Sequence, residues 1–331
     1  MTVPPTMRAL RQTSSHGPRD LVVHEVPVPE PRPGEVLVRV GAAGVNVADL
    51  QQAYGTFGGG PQPPYVAGIE AAGEVVRVGE GVTTVAPGAH VVGACIAGGA
   101  FADYAVLPAA GALPVPAGWT DEQAVGLVVN WPTAIAALGP LGGLRAGQTV
   151  LVHAAAGATG QAAVTLARHR GATVVGAASA DKHAVVRERG ADHVVDARAD
   201  DLAADVLRAT GGVGVDLVLE SVGGPTLPAS LAVTRRVTGR VVVLGMAGGP
   251  GSISTWDLVY RHQVQVVGLN IGVLAQAAPH VFGEVLQEMA ELLAAGVIAP
   301  GAPTTHALTD GPKALAELEA RATVGKLALL P

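Results

Sequence analysis

The second half of the chain alternates short apolar runs with helix-like segments, and this rhythm constrains the fold more than any other feature. The apolar runs occupy residues 149–154, 173–178, 193–196, 215–221 and 239–246. Helix-like segments separate the first four runs, at residues 159–170, 181–190 and 199–211. Strands that are covered by helices on both faces of a parallel sheet lack polar alternation. A doubly wound parallel α/β domain is therefore predicted, with Gly171 as the C-terminal cap of its first helix.

The first 120 residues or so have a different pattern. Short strand-like segments are separated by clusters of glycine and proline, which favour turns. These segments lie at residues 35–45, 71–79, 89–96 and 101–108. The spacing predicts an irregular antiparallel β-barrel domain. Near the end of the chain, residues 277–296 read as one amphipathic helix and residues 327–331 as a short strand.

The segment HAAAGATG, residues 153–160, connects the first buried strand to the first helix. In the dinucleotide fingerprint G-x-G-x-x-G, the second glycine lets the backbone approach a pyrophosphate and the third lets helix and strand pack closely. Here the frame falls on Ala155, Gly157 and Gly160, so the two more demanding positions are kept. Because the segment opens a helix inside a βαβ unit, it is interpreted as a pyrophosphate-binding turn.

The end of the second strand of the α/β domain distinguishes the two nicotinamide cofactors. An NAD site places a carboxylate there for the ribose hydroxyls, whereas an NADP site must neutralise a 2′-phosphate. Ser179 can donate a hydrogen bond to a phosphate oxygen, and Lys182 can reach it as a positive charge. Lys182 is one of only three lysines in the chain. These residues predict NADPH, although Asp181 offers the alternative of a carboxylate for the ribose hydroxyls.

Composition excludes several classes of partner and site. The formal net charge is −6, without an acidic or basic run, so neither nucleic acid nor an anionic membrane is expected as a partner. No apolar segment reaches the length of about 18 residues that a membrane span needs. Cys95 is the only cysteine, which excludes an internal disulfide and a multi-cysteine metal cage and favours a reducing, cytoplasmic location.

Several ordered motifs together resemble the zinc-independent quinone oxidoreductases of the zeta-crystallin type, within the medium-chain dehydrogenase/reductase superfamily. The motifs are GVNVADL (44–50), PPYVAGIEAAGEVVRVGEGV (63–82), WPTAIAAL (131–138), HAAAGATG (153–160), GADHVVD (190–196), ESVGG (220–224), GRVVVLG (239–245) and RATVGK (321–326). The resemblance implies a GroES-like catalytic domain at residues 1–120, completed by residues 268–331. It implies a Rossmann NADP-binding domain at residues 121–267, and a homodimer.

The resemblance also implies roles for individual residues. Asn46 should lie near the nicotinamide and the substrate, and it is the one candidate catalytic residue. The residues expected near the cofactor are Asn46, Thr133, Gly157, Ala158, Thr159, Ser179, Lys182, Gly245, Asn270, Arg321 and Lys326. The chain departs from the family at Ala197, where a tyrosine often packs on the adenosine, and at Ala53, where an arginine is common.

No metal site is expected. Where the zinc-dependent relatives of this family place a zinc cysteine, this chain has Asn46, and where they have the histidine of a GHE motif, it has Ile69. Zinc catalysis needs about three converging protein ligands.

Without a metal, hydride transfer favours an acceptor that conjugation already activates, such as a quinone or an enone. Asn46, Asn270 or a backbone amide could donate to the oxygen that gains charge, and Tyr54, Tyr65 or solvent could supply the proton. Three functions fit: an NADPH-dependent quinone reductase, an NADPH-dependent enoyl reductase, and a nucleotide-binding protein without enzymatic activity. His153 is expected to be a packed or hydrogen-bonded, neutral imidazole, and Cys95 an inert core residue.

Overall fold

The computed structural model describes residues 3–95 and 97–331, so that Ile96, in the predicted strand 89–96, lies outside the described residues. In chain order the strands are β1 (Thr6–Gln12), β2 (Leu21–Pro27), β3 (Glu35–Val45), β4 (Tyr65–Val66), β5 (Glu70–Val78), β6 (His90–Ala94), β7 (Tyr104–Pro108), β8 (Leu113–Pro114), β9 (Thr149–Val152), β10 (Thr173–Ala178), β11 (His193–Asp196), β12 (Leu217–Glu220), β13 (Arg240–Val243), β14 (Gln265–Gly268), β15 (Thr304–Ala307) and β16 (Leu327–Leu330). The α-helices are α1 (Val47–Ala53), α2 (Asp121–Ala124), α3 (Asn130–Leu138), α4 (Ala158–His169), α5 (His183–Glu188), α6 (Leu202–Ala209), α7 (Leu227–Val233), α8 (Ile271–Ala277), α9 (Pro279–Ala294) and α10 (Gly311–Glu319).

The chain forms two compact units, residues 1–129 with 300–331 and residues 130–299. The second unit contains a six-stranded sheet in the order β11-β10-β9-β12-β13-β14, and all of its neighbouring strands are parallel. This is the strand order of dinucleotide-binding domains. The predicted doubly wound fold is confirmed, and strands β10 and β11 have the predicted bounds. The sequence pattern did not predict β14, which is the edge strand on one side of the sheet.

Small residues allow helices α4 and α5 to pack closely on this sheet. A Cβ atom at Gly160 would lie 2.2 Å from the carbonyl oxygen of Ala154, and one at Gly176 of β10 would lie 2.4 Å from Val186 Cγ1. Such contacts are far inside van der Waals distance, so neither position accepts a larger residue. Gly171 has φ +75°, the left-handed conformation that ends a helix, and it follows α4 as predicted.

The first unit is predominantly antiparallel. Its largest sheet has the order β15-β16-β3-β5-β6-β8, and β7 also pairs with β3. A separate three-stranded sheet has the order β2-β1-β4. Strand β16 pairs antiparallel with β3, aligning Leu327 with Val45, so that the end of the chain completes the sheet. The expected GroES-like architecture, with a C-terminal return, is therefore present.

The boundaries of the units lie later in the chain than the sequence interpretation placed them, at 129/130 and 299/300 instead of 120/121 and 267/268. Helix α2 stays with the first unit because it packs on β3, β5 and β6. Residues 268–299 stay with the second unit because α9 packs on α3 and α8. The periodicity of apolar residues can locate a helix in the sequence. It does not reveal the elements on which that helix packs, which decide the unit to which it belongs.

Within the part of the chain that the structure describes, no helix combines the length and apolarity needed to cross a bilayer.

Candidate functional site

The turn after β9 presents free backbone donors at the carboxyl edge of the parallel sheet. Gly157 is the N-cap of α4, and the first i→i−4 hydrogen bond of the helix runs from Gln161 N to Gly157 O, at 2.8 Å. The amides of Ala158, Thr159 and Gly160 precede that bond, so no carbonyl of the helix satisfies them. Donors at a helix N-terminus favour an anion.

The two retained glycines of the turn serve different purposes. A Cβ atom at Gly160 would collide with the backbone of Ala154, so Gly160 is required by the packing of the protein itself. A Cβ atom at Gly157 would meet only the Ala154 carbonyl oxygen, at an ordinary 3.4 Å. The fold therefore tolerates a side chain at Gly157, and that side chain would occupy the space in front of the helix amides. The turn fits a pyrophosphate held against its backbone.

Helix α3 contributes to the same edge. Asn130, its first residue, donates from Nδ2 to Thr159 Oγ1 at 2.9 Å, which ties the start of α3 to the turn. Thr133 lies one turn further along α3 and is buried. The sequence analysis did not single out Asn130. Its polar side chain, inside the apolar segment that precedes WPTAIAAL, could have indicated a functional position.

The candidate 2′-phosphate residues lie at the end of β10, as expected. Ser179 follows β10 directly, and Lys182 ends the short 3₁₀ turn Ala180–Lys182 that precedes α5. A hydrogen bond from Ser179 to Asp181 holds the pKa of Asp181 below its usual value. Burial lowers the pKa of Lys182, attraction to Asp181 raises it, and repulsion by Arg198 lowers it further.

Arg198 is a second cation at this edge that the sequence interpretation missed. The register pairs Ala178 with Asp196, and the Ala197 amide donates to the Ala178 carbonyl at 2.9 Å. The chain after β11 therefore runs alongside the chain after β10, and Arg198 is close enough to Asp181 and Lys182 to lower the pKa of both. Asp196, whose Oδ1 accepts the Arg198 amide at 3.0 Å, adds a second carboxylate to Asp181 at this edge. Lys182 and Arg198 are the two cationic groups here that would contact a phosphate dianion.

Two other predicted cofactor residues of the second unit lie at the ends of the last strands. Gly245 follows β13, where an added Cβ would lie 2.8 Å from the Ser221 carbonyl oxygen. Asn270 is the N-cap of α8, and its Oδ1 accepts hydrogen bonds from the amides of Gly272 and Val273 at 3.0 and 3.2 Å. Its amide group keeps two hydrogens for other contacts.

A buried charged cluster occupies the first unit where β3, β5 and β16 meet. Lys326 Nζ lies 2.6 Å from Glu70 Oε2 and 2.7 Å from Asn46 Oδ1. Glu70 Oε1 accepts the amide of Gly126 at 2.6 Å. The relative exposures of Lys326, Glu70 and Asn46 are 9%, 0% and 6%. The structure thus brings together Asn46 and Lys326, which the sequence placed near the cofactor, and adds Glu70.

The lysine determines how the Asn46 amide is used. An ammonium group only donates, so the atom of Asn46 that faces it is Oδ1. Asn46 Nδ2 then donates to the Gly44 carbonyl at 3.1 Å and to Glu70 Oε2 at 3.2 Å. Both amide hydrogens are engaged inside the cluster, and the remaining capacity of Asn46 is an acceptor lone pair on Oδ1.

Asp49 closes the same cluster from helix α1. Its Oδ2 accepts the backbone amide of Asn46 at 2.7 Å, which forms the N-terminal capping box of α1. Its Oδ1 is buried without a hydrogen-bond partner among the described residues. Burial is the main reason that its pKa is raised to about 7, and the nearby Glu70 adds to the rise while Lys326 opposes it.

The remaining candidates of the first unit are dispersed. Arg321 is exposed and has φ +54°. Tyr54 donates its hydroxyl to Glu319 Oε1 at 2.6 Å. Tyr65 is half-buried, and burial raises the pKa of its phenol to about 12. Cys95 is buried, as predicted for a core residue, and burial raises the pKa of its thiol to about 12.

Two fully buried acidic residues, Glu70 and Glu220, were not singled out from the sequence. Glu70 and Glu220 each stand inside an apolar run, in AGIEAAG and DLVLESV. Ionisable residues in such runs must be paired or hydrogen-bonded when the run is buried. That rule could have identified both residues in the sequence.

Within residues 3–95 and 97–331, no group of three or more His, Cys, Asp or Glu side chains is arranged to hold a metal ion.

Comparisons with known proteins agree with this architecture. Models of two protein families match, one described as a zinc-binding dehydrogenase over residues 158–291 and one as an alcohol dehydrogenase GroES-like domain over residues 32–117. The chain is 38% identical over 306 residues to erythronolide synthase EryA2 of Saccharopolyspora erythraea, covering 90% of this chain and 8% of that protein. It is 31% identical over 347 residues to the synaptic vesicle membrane protein VAT-1 homolog of Rattus norvegicus, covering 99% of this chain and 85% of that protein.

A solved structure extends the comparison. The quinone oxidoreductase of Escherichia coli, crystallised in complex with NADPH, matches with a TM-score of 0.89 and 28% identity over 98% of this chain and 100% of that one. The chain therefore spans nearly the full length of a free-standing oxidoreductase, but only a small part of the polyketide synthase that it matches.

Proposed function

Because the chain belongs to the medium-chain dehydrogenase/reductase superfamily, a group of oxidoreductases, we propose that it is an NADPH-dependent enzyme that reduces a quinone or another conjugated carbonyl compound without a metal ion. The observation that carries the proposal is the Asn46–Lys326–Glu70 cluster. The resemblance implies that Asn46 of this cluster stands where zinc-dependent relatives have a zinc cysteine.

Charge argues against a metal at this position. The Lys326 ammonium lies 2.7 Å from Asn46 Oδ1 and would repel a divalent cation there. Ile69, at the position of the zinc histidine, is an apolar residue with 7% exposure. Full activity after dialysis against a chelator, with no zinc detected by elemental analysis, is the expected result. Loss of activity that only zinc restores would contradict a metal-free mechanism.

The carboxyl edge of the second unit supports NADPH as the cofactor, which supplies a hydride when bound. The amides of Ala158, Thr159 and Gly160 would hold the pyrophosphate, and Ser179, Lys182 and Arg198 would hold the 2′-phosphate. The same edge supports NADH less well, because the Asp181 carboxylate already accepts a hydrogen bond from Ser179 and is flanked by Lys182 and Arg198.

Replacing Arg198 by alanine is expected to raise the dissociation constant for NADPH roughly tenfold and to leave that for NADH within about twofold. The reason is that a charge-assisted hydrogen bond contributes about 1.5–3 kcal/mol and only NADPH carries the 2′-phosphate. Isothermal titration calorimetry measures both constants. Arg187→Ala, in the exposed face of α5, is the matched control for loss of one positive charge. Equal weakening for both cofactors would remove Arg198 from the 2′-phosphate site.

Gly157→Val is expected to reduce NADPH affinity at least about 100-fold while the protein stays folded. The valine side chain would fill the space in front of the helix amides, whereas its Cβ meets the protein only at 3.4 Å. Calorimetric titration and a thermal unfolding curve separate the two effects. Gly283→Val in α9, where an added Cβ meets nothing within 4 Å, is the control. Unchanged NADPH affinity in Gly157→Val would reject the pyrophosphate turn.

The residues of the first unit favour an acceptor that is already activated. Asn46 offers an acceptor lone pair but no free amide hydrogen, so in this arrangement it does not stabilise a developing oxyanion. Tyr65, whose phenol stays protonated at neutral pH, is the better proton donor, because Tyr54 gives its hydrogen to Glu319. A quinone or enone needs less stabilisation of its oxygen than a simple ketone, since conjugation spreads the charge.

A panel of acceptors with NADPH tests the proposal. We expect turnover of 1,4-benzoquinone, 1,2-naphthoquinone or an enone, and none of a simple ketone. The 38% identity to a polyketide synthase over 306 residues favours a second candidate, reduction of an enoyl thioester, and a preference for that substrate in the same panel would select it. Binding of NADPH without turnover of any acceptor would leave a nucleotide-binding protein instead.

We also propose that the protein is a homodimer, formed through the edge strand β14. This strand exposes Val266, and the nearby segment exposes Trp256, Val259 and Tyr260. An uncovered sheet edge with apolar neighbours is a surface that proteins normally cover. Sedimentation equilibrium at micromolar concentration should give twice the chain mass, and a monomer would contradict the proposal.

A further inference from the structure

A hydrogen-bond network lies in the core of the second unit and takes no part in the function proposed above. His153 follows β9 directly, Glu220 ends β12 and Ser230 lies in α7, with relative exposures of 2%, 0% and 0%. His153 Nε2 lies 2.8 Å from Ser230 Oγ, which donates to Glu220 Oε2 at 2.5 Å. Thr226 Oγ1 donates to Glu220 Oε1 at 2.9 Å. The expectation that His153 is packed and hydrogen-bonded is confirmed.

The network fixes the tautomer of the histidine. Ser230 Oγ has one hydrogen, and the carboxylate of Glu220 can only accept it. The contact between Ser230 Oγ and His153 Nε2 therefore has the histidine as donor. The Nδ1 atom is left without a hydrogen, buried and without a partner among the described residues. Burial lowers the pKa of His153, which keeps the imidazole neutral near pH 7, although Glu220 attracts a proton to it.

The network joins the two strands that flank the switch point of the sheet. Strands β9 and β12 are neighbours, and the strand order reverses between them. His153 immediately precedes Ala154, whose φ of +48° begins the pyrophosphate turn. Glu220 immediately precedes the loop of residues 221–224. Dinucleotides bind in the crevice at this point of such sheets, so the network lies directly beneath it.

Glu220 also holds the loop after β12 directly. Its Oε1 accepts the amides of Val222 and Gly223 at 2.8 and 2.9 Å. The Val222 carbonyl in turn accepts the amide of Gly248, in the loop after β13, at 2.7 Å. Gly223 has φ +72°, and an added Cβ would lie 2.5 Å from the Gly249 carbonyl oxygen. The two loops therefore have one tightly packed arrangement that depends on the Glu220 carboxylate.

We infer that Glu220 is a positioning residue for the nicotinamide dinucleotide, which acts through Ser230 and His153 to hold the pyrophosphate turn and the loop of residues 221–224 in their binding arrangement. It does this without touching the cofactor. The inference rests on the proposed function, since it requires that NADPH binds at this edge. Preorganisation of this kind raises affinity because the protein loses less conformational freedom on binding.

Affinity measurements with two ligands test the inference. Glu220→Gln and the milder Ser230→Ala should each raise the NADPH dissociation constant about tenfold. This is the size of effect expected of a residue that influences a binding site without touching the ligand. Adenosine 2′-monophosphate, which has no 5′-phosphate and so reaches only the Ser179 edge, should bind within about twofold of the wild-type value. Val206→Ala, a truncation of a buried residue of α6, is the control for core destabilisation.

Two further readouts distinguish positioning from a general loss of structure. In the double variant Glu220→Gln/Ser230→Ala, the NADPH dissociation constant should rise no more than in the single variants, because both disrupt one pathway. Nitrogen-15 NMR of labelled histidine should find the Nε2–H tautomer of His153 in the wild type. In Glu220→Gln the tautomer of His153 should change. The new amide of residue 220 would donate to Ser230, so that His153 Nε2–H would compete with it for the same oxygen atom.

The possible failures are separable. A wild-type protein that does not bind NADPH rejects the proposed function. Wild-type binding of NADPH with unchanged affinity in Glu220→Gln and Ser230→Ala rejects the positioning role alone. Equal weakening of NADPH and of adenosine 2′-monophosphate, or the same effect in Val206→Ala, also rejects it, because the loss would then be one of overall structure. If Glu220→Gln does not fold, Ser230→Ala provides the same test.

Discussion

Lys326→Met is expected to lower the free energy of unfolding by about 3–5 kcal/mol, the usual result of removing one partner from a buried ion pair. Lys326 Nζ contacts Glu70 Oε2 at 2.6 Å and Asn46 Oδ1 at 2.7 Å, and the Glu70 side chain has no exposure to solvent. Methionine conserves the length and apolar stem of the lysine, so the loss isolates the charge. Urea-induced unfolding at pH 7 measures the change.

The same measurement on two other variants tests the physical cause. In Lys326→Met/Glu70→Gln both charges are gone, and we expect at least half of the lost stability to return, because no uncompensated charge stays buried. Lys313→Met, on the exposed face of α10, is the matched control and should change stability by less than about 0.5 kcal/mol. A Lys326→Met protein within 1 kcal/mol of wild type would contradict the buried pair.

The features that the sequence predicted well are those that neighbouring residues determine. The buried strands β10 and β11 were located correctly because their lack of polar alternation is a local property. The turn at Gly157 was recognised because its position between a strand and a helix is equally local. The more glycine-rich segment at residues 209–216 opens no helix in the structure, so context was a better guide than glycine content.

The features that the sequence did not predict depend on contacts between distant segments. The cluster in the first unit joins Asn46, Glu70 and Lys326, which only the register of β3, β5 and β16 brings together. Arg198 reaches the edge at Ser179 only because β11 pairs with β10 in a particular register. The resemblance to a family suggested Asn46 and Lys326, but it did not predict that they bond to each other. Their roles toward cofactor and substrate stay predictions.

Asp49→Asn is expected to become more stable relative to the wild type as the pH rises, by about 4 kcal/mol in total. In the folded protein burial raises the pKa of Asp49 to about 7 from a value of 3.8. Between these two values the folded protein binds a proton that the unfolded chain has released, so stability falls as the pH rises. Each pKa unit corresponds to 1.36 kcal/mol. Asparagine has no such titration.

The difference between the two proteins isolates this one carboxyl group. The unfolding free energies of wild type and Asp49→Asn should converge on a constant offset below pH 4, diverge steadily up to about pH 7 and run parallel above it. The constant difference in unfolding free energy below pH 4 reports the pH-independent effect of the substitution. That effect includes placing an amide NH₂ where Asp49 Oδ1 was buried without a partner among the described residues. Titrations of groups that do not interact electrostatically with Asp49 cancel in the difference. Parallel profiles over the whole range would mean that Asp49 is ionised in the folded protein at pH 5, and therefore that Lys326 neutralises two buried carboxylates rather than one.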